Sequence, residues 1–179
     1  MTDVPGSLAS ESWAFALKLY AEPGVREACL RLQEDEDVDV MLLLVAVFAA
    51  SRKHMRLSFE DVRVMDDASR PWREQVVRPL RALRRTLASG PAPAPSEASE
   101  RLRSQIKAAE LDAEHLENDL LAVWLESKTS GKVELVPAEI RDVIRAVVQP
   151  APSDEAGCQI GDMSSAIAVI SDAADRLAR

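Results

Sequence analysis

VMLLLVAVFAA, residues 40–50, is the most hydrophobic stretch of this 179-residue chain. Its 11 residues are too few to cross a bilayer, because a membrane-spanning helix needs ~20. Asp39 precedes the stretch and Arg52 and Lys53 follow it, and such charges suit the two ends of a helix dipole. We therefore expect a buried core helix that begins near Val40.

A shorter amphipathic segment lies closer to the N-terminus. Trp13, Leu17 and Tyr20 are spaced as one face of a helix, and the same spacing favours their packing into the core. Ser10 or Ser12 is placed to begin this first helix. The alternative is that Trp13 and Tyr20, together with Trp72, line a pocket for an apolar ligand.

A second helix is predicted between Gly24 and the acidic residues 34–37. Val25, Cys29 and Leu32 form its apolar face, and the two helices should pair as a hairpin. We expect Cys29 to be a small core hydrophobe, since a cysteine without a neighbouring base has no reason to act as a nucleophile.

A fourth helix is predicted after the central one. Ser58 followed by Asp61 is typical of a helix cap, and the inward face should be Phe59, Val62 and Met65.

A separate fifth helix, Arg-rich and spanning about residues 70–88, is predicted to begin at Ser69 and Pro71. Pro79 should kink it, because proline cannot donate the helical hydrogen bond. Its apolar stripe is Trp72, Val76, Leu80, Leu83 and Leu87.

Composition favours an all-α fold, because aromatic residues make up only 4% of the chain while aliphatic residues are abundant. The net charge is −8. Residues 1–90 hold 13 basic and 14 acidic side chains, whereas residues 91–179 hold 9 and 16. An acidic balance disfavours non-specific binding to nucleic acid or anionic lipid. The first eleven residues lack the basic start of a secretory signal, and two cysteines suggest no disulfide framework, so we expect a cytoplasmic protein without a membrane segment.

The Pro-Ala segment 89–96 is the clearest boundary in the sequence and predicts an extended spacer. We expect a compact N-terminal bundle of about five helices over residues 1–88 and an acidic helical extension over residues 97–179. The extension should contain a long helix at 97–126 and helices near 138–149 and 163–178.

The long helix carries an apolar heptad stripe whose steps alternate between four and three residues. The stripe is Leu102, Ile106, Ala109, Ala113, Leu116, Leu120 and Val123. Acidic residues flank it, which disfavours a parallel homodimer. We predict instead that the long helix folds back antiparallel onto the Arg-rich helix.

Several separated blocks carry a resemblance to a known family. They are SWAFAL at 12–17, PGV at 23–25, VDV at 38–40, LLL at 42–44, PWR at 71–73 and PLR at 79–81. In this order they resemble DUF2390, an uncharacterised family of short proteobacterial proteins, over about residues 12–87. The resemblance implies a bacterial, cytosolic, helical protein and supplies no activity, cofactor or catalytic residue. The family pattern has Gly near Asp37, Asn at Met41 and Trp at Phe48, so a role carried by that Asn does not transfer to this chain.

Two groups of residues are candidates for contact with a partner. Arginines of the fifth helix suit an anion or an acidic partner, and they are Arg73, Arg78, Arg81, Arg84 and Arg85. Salt bridges to the acidic long helix are the simpler explanation. The second group is the apolar face formed by Leu116, Leu120 and Val123.

Asp112, His115 and Asp119 share a helical face with metal-ligand spacing. One helix cannot complete such a site, so we assign no metal, no cofactor and no catalytic residue. The favoured function is a protein-interaction or scaffold module whose partner is another protein or a second copy. The alternative is a carrier or enzyme with an apolar pocket in the N-terminal core, although we lean against an enzyme. Nucleic-acid binding through helix 70–88 ranks third.

Overall fold

A computed structural model describes residues 7–129, 140–148 and 160–178, and its regular elements in these ranges are helices. This confirms the all-α fold class, with a long helix and two helices after it. The elements are α1 (Leu8–Tyr20), α2 (Val25–Asp35), α3 (Val40–Lys53), α4 (Phe59–Trp72), a π-helical turn (Arg73–Val77), α5 (Arg78–Ser89), α6 (Glu97–Thr129), α7 (Ile140–Val148) and α8 (Ile160–Ala178).

α3 is the centre of the hydrophobic core, as its sequence predicts. Each residue from Met41 to Ser51 is buried. The helix begins where the Asp39 carboxylate accepts a hydrogen bond of 2.6 Å from the Leu42 N–H. α1, α6, α7 and α8 pack around it, so residues from both ends of the chain surround this helix.

The predicted start of a separate helix at Ser69 and Pro71 is wrong. Ser69 is fully buried inside a continuous helical path from α4 through the π-helical turn to α5. Packing on α6 keeps the chain helical here, since Trp72 Nε1 donates a 2.9 Å hydrogen bond to Ala113 O. The helix is irregular just before Pro79, where the Arg78 N–H donates a hydrogen bond to Arg73 O. This wider, π-helical turn accommodates a proline at the second residue of α5.

The Pro-Ala segment forms a turn, which corrects the prediction of an extended spacer. The Ala94 N–H donates a 2.9 Å hydrogen bond to Pro91 O. Ser96 then caps α6, because its hydroxyl accepts from the Ser99 N–H at 3.2 Å. The turn reverses the chain, and α6 packs antiparallel along α5. The predicted pairing of these two helices is confirmed.

The heptad stripe of α6 is not the face that packs inward. Of its seven members, two are buried, Ile106 and Ala113, whereas five are exposed, Leu102, Ala109, Leu116, Leu120 and Val123. The buried face contains Ile106, Glu110, Ala113, Glu117, Asn118, Leu121, Ala122 and Leu125. Polar partners explain why α6 is rotated so that this face, and not the heptad stripe, points inward. One example is the buried hydrogen bond of 2.6 Å that the Ser12 hydroxyl donates to the Asn118 amide oxygen.

α7 and α8 add buried residues to the same hydrophobic cluster as α1, α2 and α3. Positions 138, 139 and 149 of the predicted helices lie outside the described residues. The division of the chain into a core domain, a linker and an extension stays a prediction. No helix in the described ranges has the length and hydrophobicity of a membrane span.

Candidate ligand-binding cleft

A cleft of about 160 Å³ opens between α1, α3, α5 and α6. Trp13, Leu17 and Tyr20 form its wall on α1. This is the face that the sequence predicts to enter the core. Ser12, Phe15, Ala16 and Leu19 are the buried residues of α1. Trp13 and Tyr20 are partly buried against the same hydrophobic core, as predicted, and also line the cleft, whereas Leu17 is 50% exposed.

The start of α3 forms the floor of the cleft. Asp39, Val40, Met41 and Leu44 line it there, and Gln33 of α2 completes this side. Its role as the helix cap holds the Asp39 side chain at the first turn of α3. The floor is therefore apolar apart from one fixed acid and one amide.

The opposite wall is polar and comes from α5 and α6. Arg81, Leu111, Glu114 and Glu117 line it. Arg81 Nη2 donates to Glu114 at 2.5 Å, and Arg81 Nε donates to Glu110 at 3.0 Å. The predicted pocket was apolar and confined to the N-terminal core, whereas this cleft also uses α6 and contains three carboxylates. We call it the acidic cleft.

Arg73 lies behind the cleft as the most buried of the candidate arginines. Its guanidinium donates to Asp66 at 2.6 Å and lies 3.3 Å from Asp39 and 3.7 Å from Glu117. A buried arginine needs such partners, because an uncompensated charge in the interior is costly. Arg73 thus connects α3, α4 and α6 through their acids.

Glu117 is the most unusual group of the cleft. Its side chain is 1% exposed, and its Oε1 accepts no hydrogen bond from any residue that the structure describes. Burial, together with the nearby Asp39 charge and against the attraction of Arg73, raises the pKa of Glu117 to about 8. At neutral pH its carboxyl group is therefore mostly protonated.

The other acids around the cleft divide according to their partners. Burial raises the pKa of Asp39 and of Glu114, although Arg73 and Arg81 respectively oppose the shift. Burial acts on Glu110 as well, but hydrogen bonds from Arg84 and Arg81 outweigh it and lower the pKa of that carboxyl group. The acids that face the cleft are thus less well compensated than Glu110 behind it.

The structure pairs the remaining candidate arginines with acids of the same chain. Arg84 donates to Glu110, Arg78 lies 2.7 Å from Asp37, and Arg85 lies 3.8 Å from Glu34. Contact of these arginines with an external anion or partner stays a prediction, and it would have to replace these ion pairs.

The second candidate group lies on the outer side of α6. Leu116, Leu120 and Val123 are 43%, 42% and 64% exposed. They do not meet the acidic cleft, which lies on another side of the helix. Their use as a partner surface stays a prediction.

The residues with metal-ligand spacing do not come together. His115 stacks on Trp13 with ring centroids 4.3 Å apart, while Asp112 is exposed. Among the described residues, no group of three or more His, Cys, Asp or Glu side chains could hold a metal ion. Cys29 is buried in the core as predicted, and burial raises the pKa of its thiol to about 12.

A family model described as a protein of unknown function, DUF2390, matches residues 11–121. The chain belongs to this family. No curated protein and no solved structure matches the chain. The DUF2390 segment extends beyond the predicted residues 12–87 and includes the part of α6 that carries Leu111, Glu114 and Glu117. Every residue that lines the acidic cleft therefore lies inside the family segment.

The three positions at which the resemblance predicts a departure from the family pattern lie in different parts of the structure. Asp37 has a φ of 53°, in the left-handed region that favours glycine. Met41 lines the cleft. Phe48 packs in the core against Phe15, with ring centroids 5.6 Å apart. Of the three, Met41 is the position that borders the cleft, and the departures themselves stay predictions.

Sequence reasoning missed the acidic character of the cleft. Asp39 was interpreted only as a helix cap, and Glu117 only as an acidic flank of the heptad stripe. One signal was present in the sequence: Glu110, Glu114 and Glu117 are spaced by four and three residues, so they share a helical face that can oppose the arginines of α5.

Proposed function

We propose that this DUF2390 protein is a small-molecule-binding protein of the bacterial cytoplasm and that the acidic cleft is its site. The observation that carries the proposal is the cleft itself, which has a volume of about 160 Å³ and an aromatic wall of Trp13 and Tyr20 opposite the carboxyl groups of Glu114 and Glu117. Concave sites with apolar walls and a few convergent polar groups are typical of small-molecule binding.

The size of the cleft limits the ligand. A volume of about 160 Å³ is close to that of an engineered protein cavity of roughly 150 Å³ that binds benzene. A ligand with one ring or a similar number of atoms therefore fits. Trp13 and Tyr20 offer it flat apolar surface, and the carboxylates opposite offer it polar contacts.

Native mass spectrometry of the full chain, gently isolated from its own cells, tests this function. Leu17 lines the cleft and is 50% exposed, so Leu17→Trp should fill the cavity without disturbing the core. Leu83→Trp is the matched control, because Leu83 is 47% exposed on α5 and does not line the cleft. We expect a small bound mass on the wild type and the control but not on Leu17→Trp. A mass retained by all three proteins, or absent from the wild type, would contradict the proposal.

A second candidate function is protein interaction through the outer side of α6. The exposure of Leu116, Leu120 and Val123 supports it, since three large apolar side chains lie at helical spacing on one surface. Asp112 and Asp119 flank them. The partner that fits is an amphipathic helix with an apolar face and basic flanks.

The same native mass measurement tests this interaction. The double variant Leu116→Asp/Leu120→Asp should lose a bound polypeptide that the wild type and Leu83→Asp retain. The helix that the bound polypeptide contributes should carry Lys or Arg beside its apolar face. A polypeptide that remains on the double variant, or one without such a helix, would remove this candidate.

A further inference from the structure

We propose that the acidic cleft selects a small organic cation, an ammonium group carried on a body of about one ring. This inference rests on the proposed function, because it names the chemical class of ligand for the same site. It follows from three features of the described residues: the charge around the cleft, the hydrogen-bonding atoms left at its wall, and the aromatic surface facing them.

Carboxylates outnumber guanidinium groups around the cleft. Among the described residues of this cluster, the three guanidinium groups are Arg73, Arg81 and Arg84, and the six carboxyl groups that they contact are Asp39, Asp66, Glu74, Glu110, Glu114 and Glu117. Arg70, which also binds Asp66, brings Asp67, and Arg78, which also binds Glu74, brings Asp37, so the excess of three carboxyl groups remains. A cationic ligand would reduce this excess, whereas an anionic one would increase it.

The wall of the cleft offers more acceptors than donors. Among the described residues that line it, Arg81 is the guanidinium group, and it is bound to Glu110 and Glu114. Arg73 Nε and Nη1 have no hydrogen-bond partner in the described part of the chain, but Arg73 does not line the cleft. An ammonium group has three N–H donors and no acceptor, so it can bind the carboxyl groups of Asp39, Glu114 and Glu117. A ligand carboxylate would bring only further acceptors to this wall.

The aromatic side of the cleft also suits a cation. Trp13 and Tyr20 line it, and the face of an aromatic ring attracts a positive charge, most strongly for tryptophan. The stacking of His115 against Trp13, with an interplanar angle of 10°, holds one face of the indole in place. A ring with an ammonium substituent can therefore contact an aromatic wall and an acidic wall together.

Three probes of nearly equal size separate charge from shape: benzylamine, benzyl alcohol and sodium benzoate. Each is titrated at pH 7 into the full-length wild type, with the Trp13 indole resonance and calorimetry as readouts. We expect benzylamine, which is protonated at this pH, to bind at least tenfold more tightly than benzyl alcohol, and benzoate to show no binding. Equal binding of amine and alcohol, or tighter binding of benzoate, would overturn the cation inference and leave the proposed function standing. If no probe shifts the Trp13 resonance, both the inference and the one-ring site fail.

Charge-neutral variants identify the carboxylate that holds the ammonium. At about pH 8.5 Glu117 of the wild type is mostly ionised, and Glu117→Gln should weaken benzylamine binding at least tenfold there. At pH 6 Gln mimics the protonated acid, so the two proteins should bind benzylamine almost equally. Asp112→Asn removes one exposed acid from the same helix outside the cleft and should leave benzylamine binding unchanged at both pH values. Equal benzylamine binding by the wild type and Glu117→Gln at the higher pH, or an equal loss in Asp112→Asn, would overturn the role of Glu117 and reduce the effect to overall charge.

Discussion

α3 and α6 both pass through the interior of this protein, but α3 is buried through apolar contacts and α6 partly through polar ones. α3 is buried all round from Met41 to Ser51 and is almost entirely apolar. α6 buries Glu110, Glu117 and Asn118 between its apolar residues, while Leu116 and Leu120 remain outside. Hydrophobicity alone determines the position of α3. The orientation of α6 depends on partners elsewhere in the chain, which are the arginines of the π-helical turn and α5 and Ser12 of α1.

The largest expected effect is the loss of a large side chain next to α3. Phe48 is 2% exposed and packs against Phe15. Phe48→Ala should lower the free energy of unfolding by about 3–5 kcal/mol, since it leaves a cavity that the core can fill only in part. Urea unfolding followed by circular dichroism measures this. Phe59→Ala is the control: Phe59 is 48% exposed, despite its predicted inward position, and should cost below ~0.5 kcal/mol. Equal losses in the two variants would contradict the description of α3 as the core.

The second prediction concerns the polar face of α6. Glu110 is buried and holds both Arg81 and Arg84. Glu110→Ala should lower the free energy of unfolding by about 2–4 kcal/mol, because it leaves the half-buried Arg84 guanidinium without its acid and Arg81 with Glu114 alone. Glu97→Ala removes a fully solvated ion pair with Arg101 and should cost almost nothing. If Glu110→Ala is as mild as Glu97→Ala, the ion pairs do not orient α6.

The third prediction uses the titration of Glu117. Its pKa is raised from its usual value near 4.5 to about 8, so the folded protein retains a proton that the unfolded chain loses between these values. The free energy of unfolding should therefore decrease as the pH rises from 5 to 8. Because Gln mimics the protonated acid, Glu117→Gln should lack this contribution. Over this range the free energy of unfolding should fall by about 2 kcal/mol more in the wild type than in the variant. This is less than the upper limit given by ~1.4 kcal/mol for each unit by which the pKa is raised.

Urea titrations at pH 5, 6, 7 and 8 measure the difference between the two proteins. Asp39 and Glu114 also have raised pKa values, but they are present in both proteins and their contributions largely cancel in the comparison. Parallel stability curves for wild type and Glu117→Gln would show that Glu117 is ionised in the folded state. If the free energy of unfolding of the wild type instead rises with pH relative to that of Glu117→Gln, Arg73 holds Glu117 as an anion.

The part of the fold that could be predicted is the part set by local sequence. The Asp39 cap, the pairing of Ser58 with Asp61 and the buried run of α3 each depend on residues within a few positions of one another. The end of α5 near residue 88 also followed from a short signal. These local features needed no knowledge of distant contacts, whereas the return of α6 along α5 was predicted from the complementary charge of the two helices.

The face that each amphipathic helix buries could not be predicted in the same way. Trp13 and Tyr20 pack against the core, as their spacing predicts, but they also line the cleft, and the heptad stripe of α6 leaves Leu116 and Leu120 exposed. The inner faces of α1 and α6 include Ser12, Glu110 and Glu117, which a hydrophobic pattern assigns to solvent. Such residues are buried only because a partner on another helix compensates them, and single-helix periodicity contains no information about that partner. The acidic cleft could not be predicted from the sequence for the same reason.

The smallest expected effect tests the outer side of α6 directly. Leu116 and Leu120 belong to the heptad stripe, and the structure exposes both. Leu116→Asp/Leu120→Asp should therefore change the free energy of unfolding of the isolated chain by no more than about 1 kcal/mol, as expected for two surface substitutions. If the stripe packed inward instead, each aspartate would enter the core unpaired and the protein would unfold. Leu121→Asp and Leu125→Asp, on the buried face one position and five positions further along, should each abolish folding. Thermal unfolding of these three variants therefore shows which face of α6 packs inward, independently of any ligand or partner.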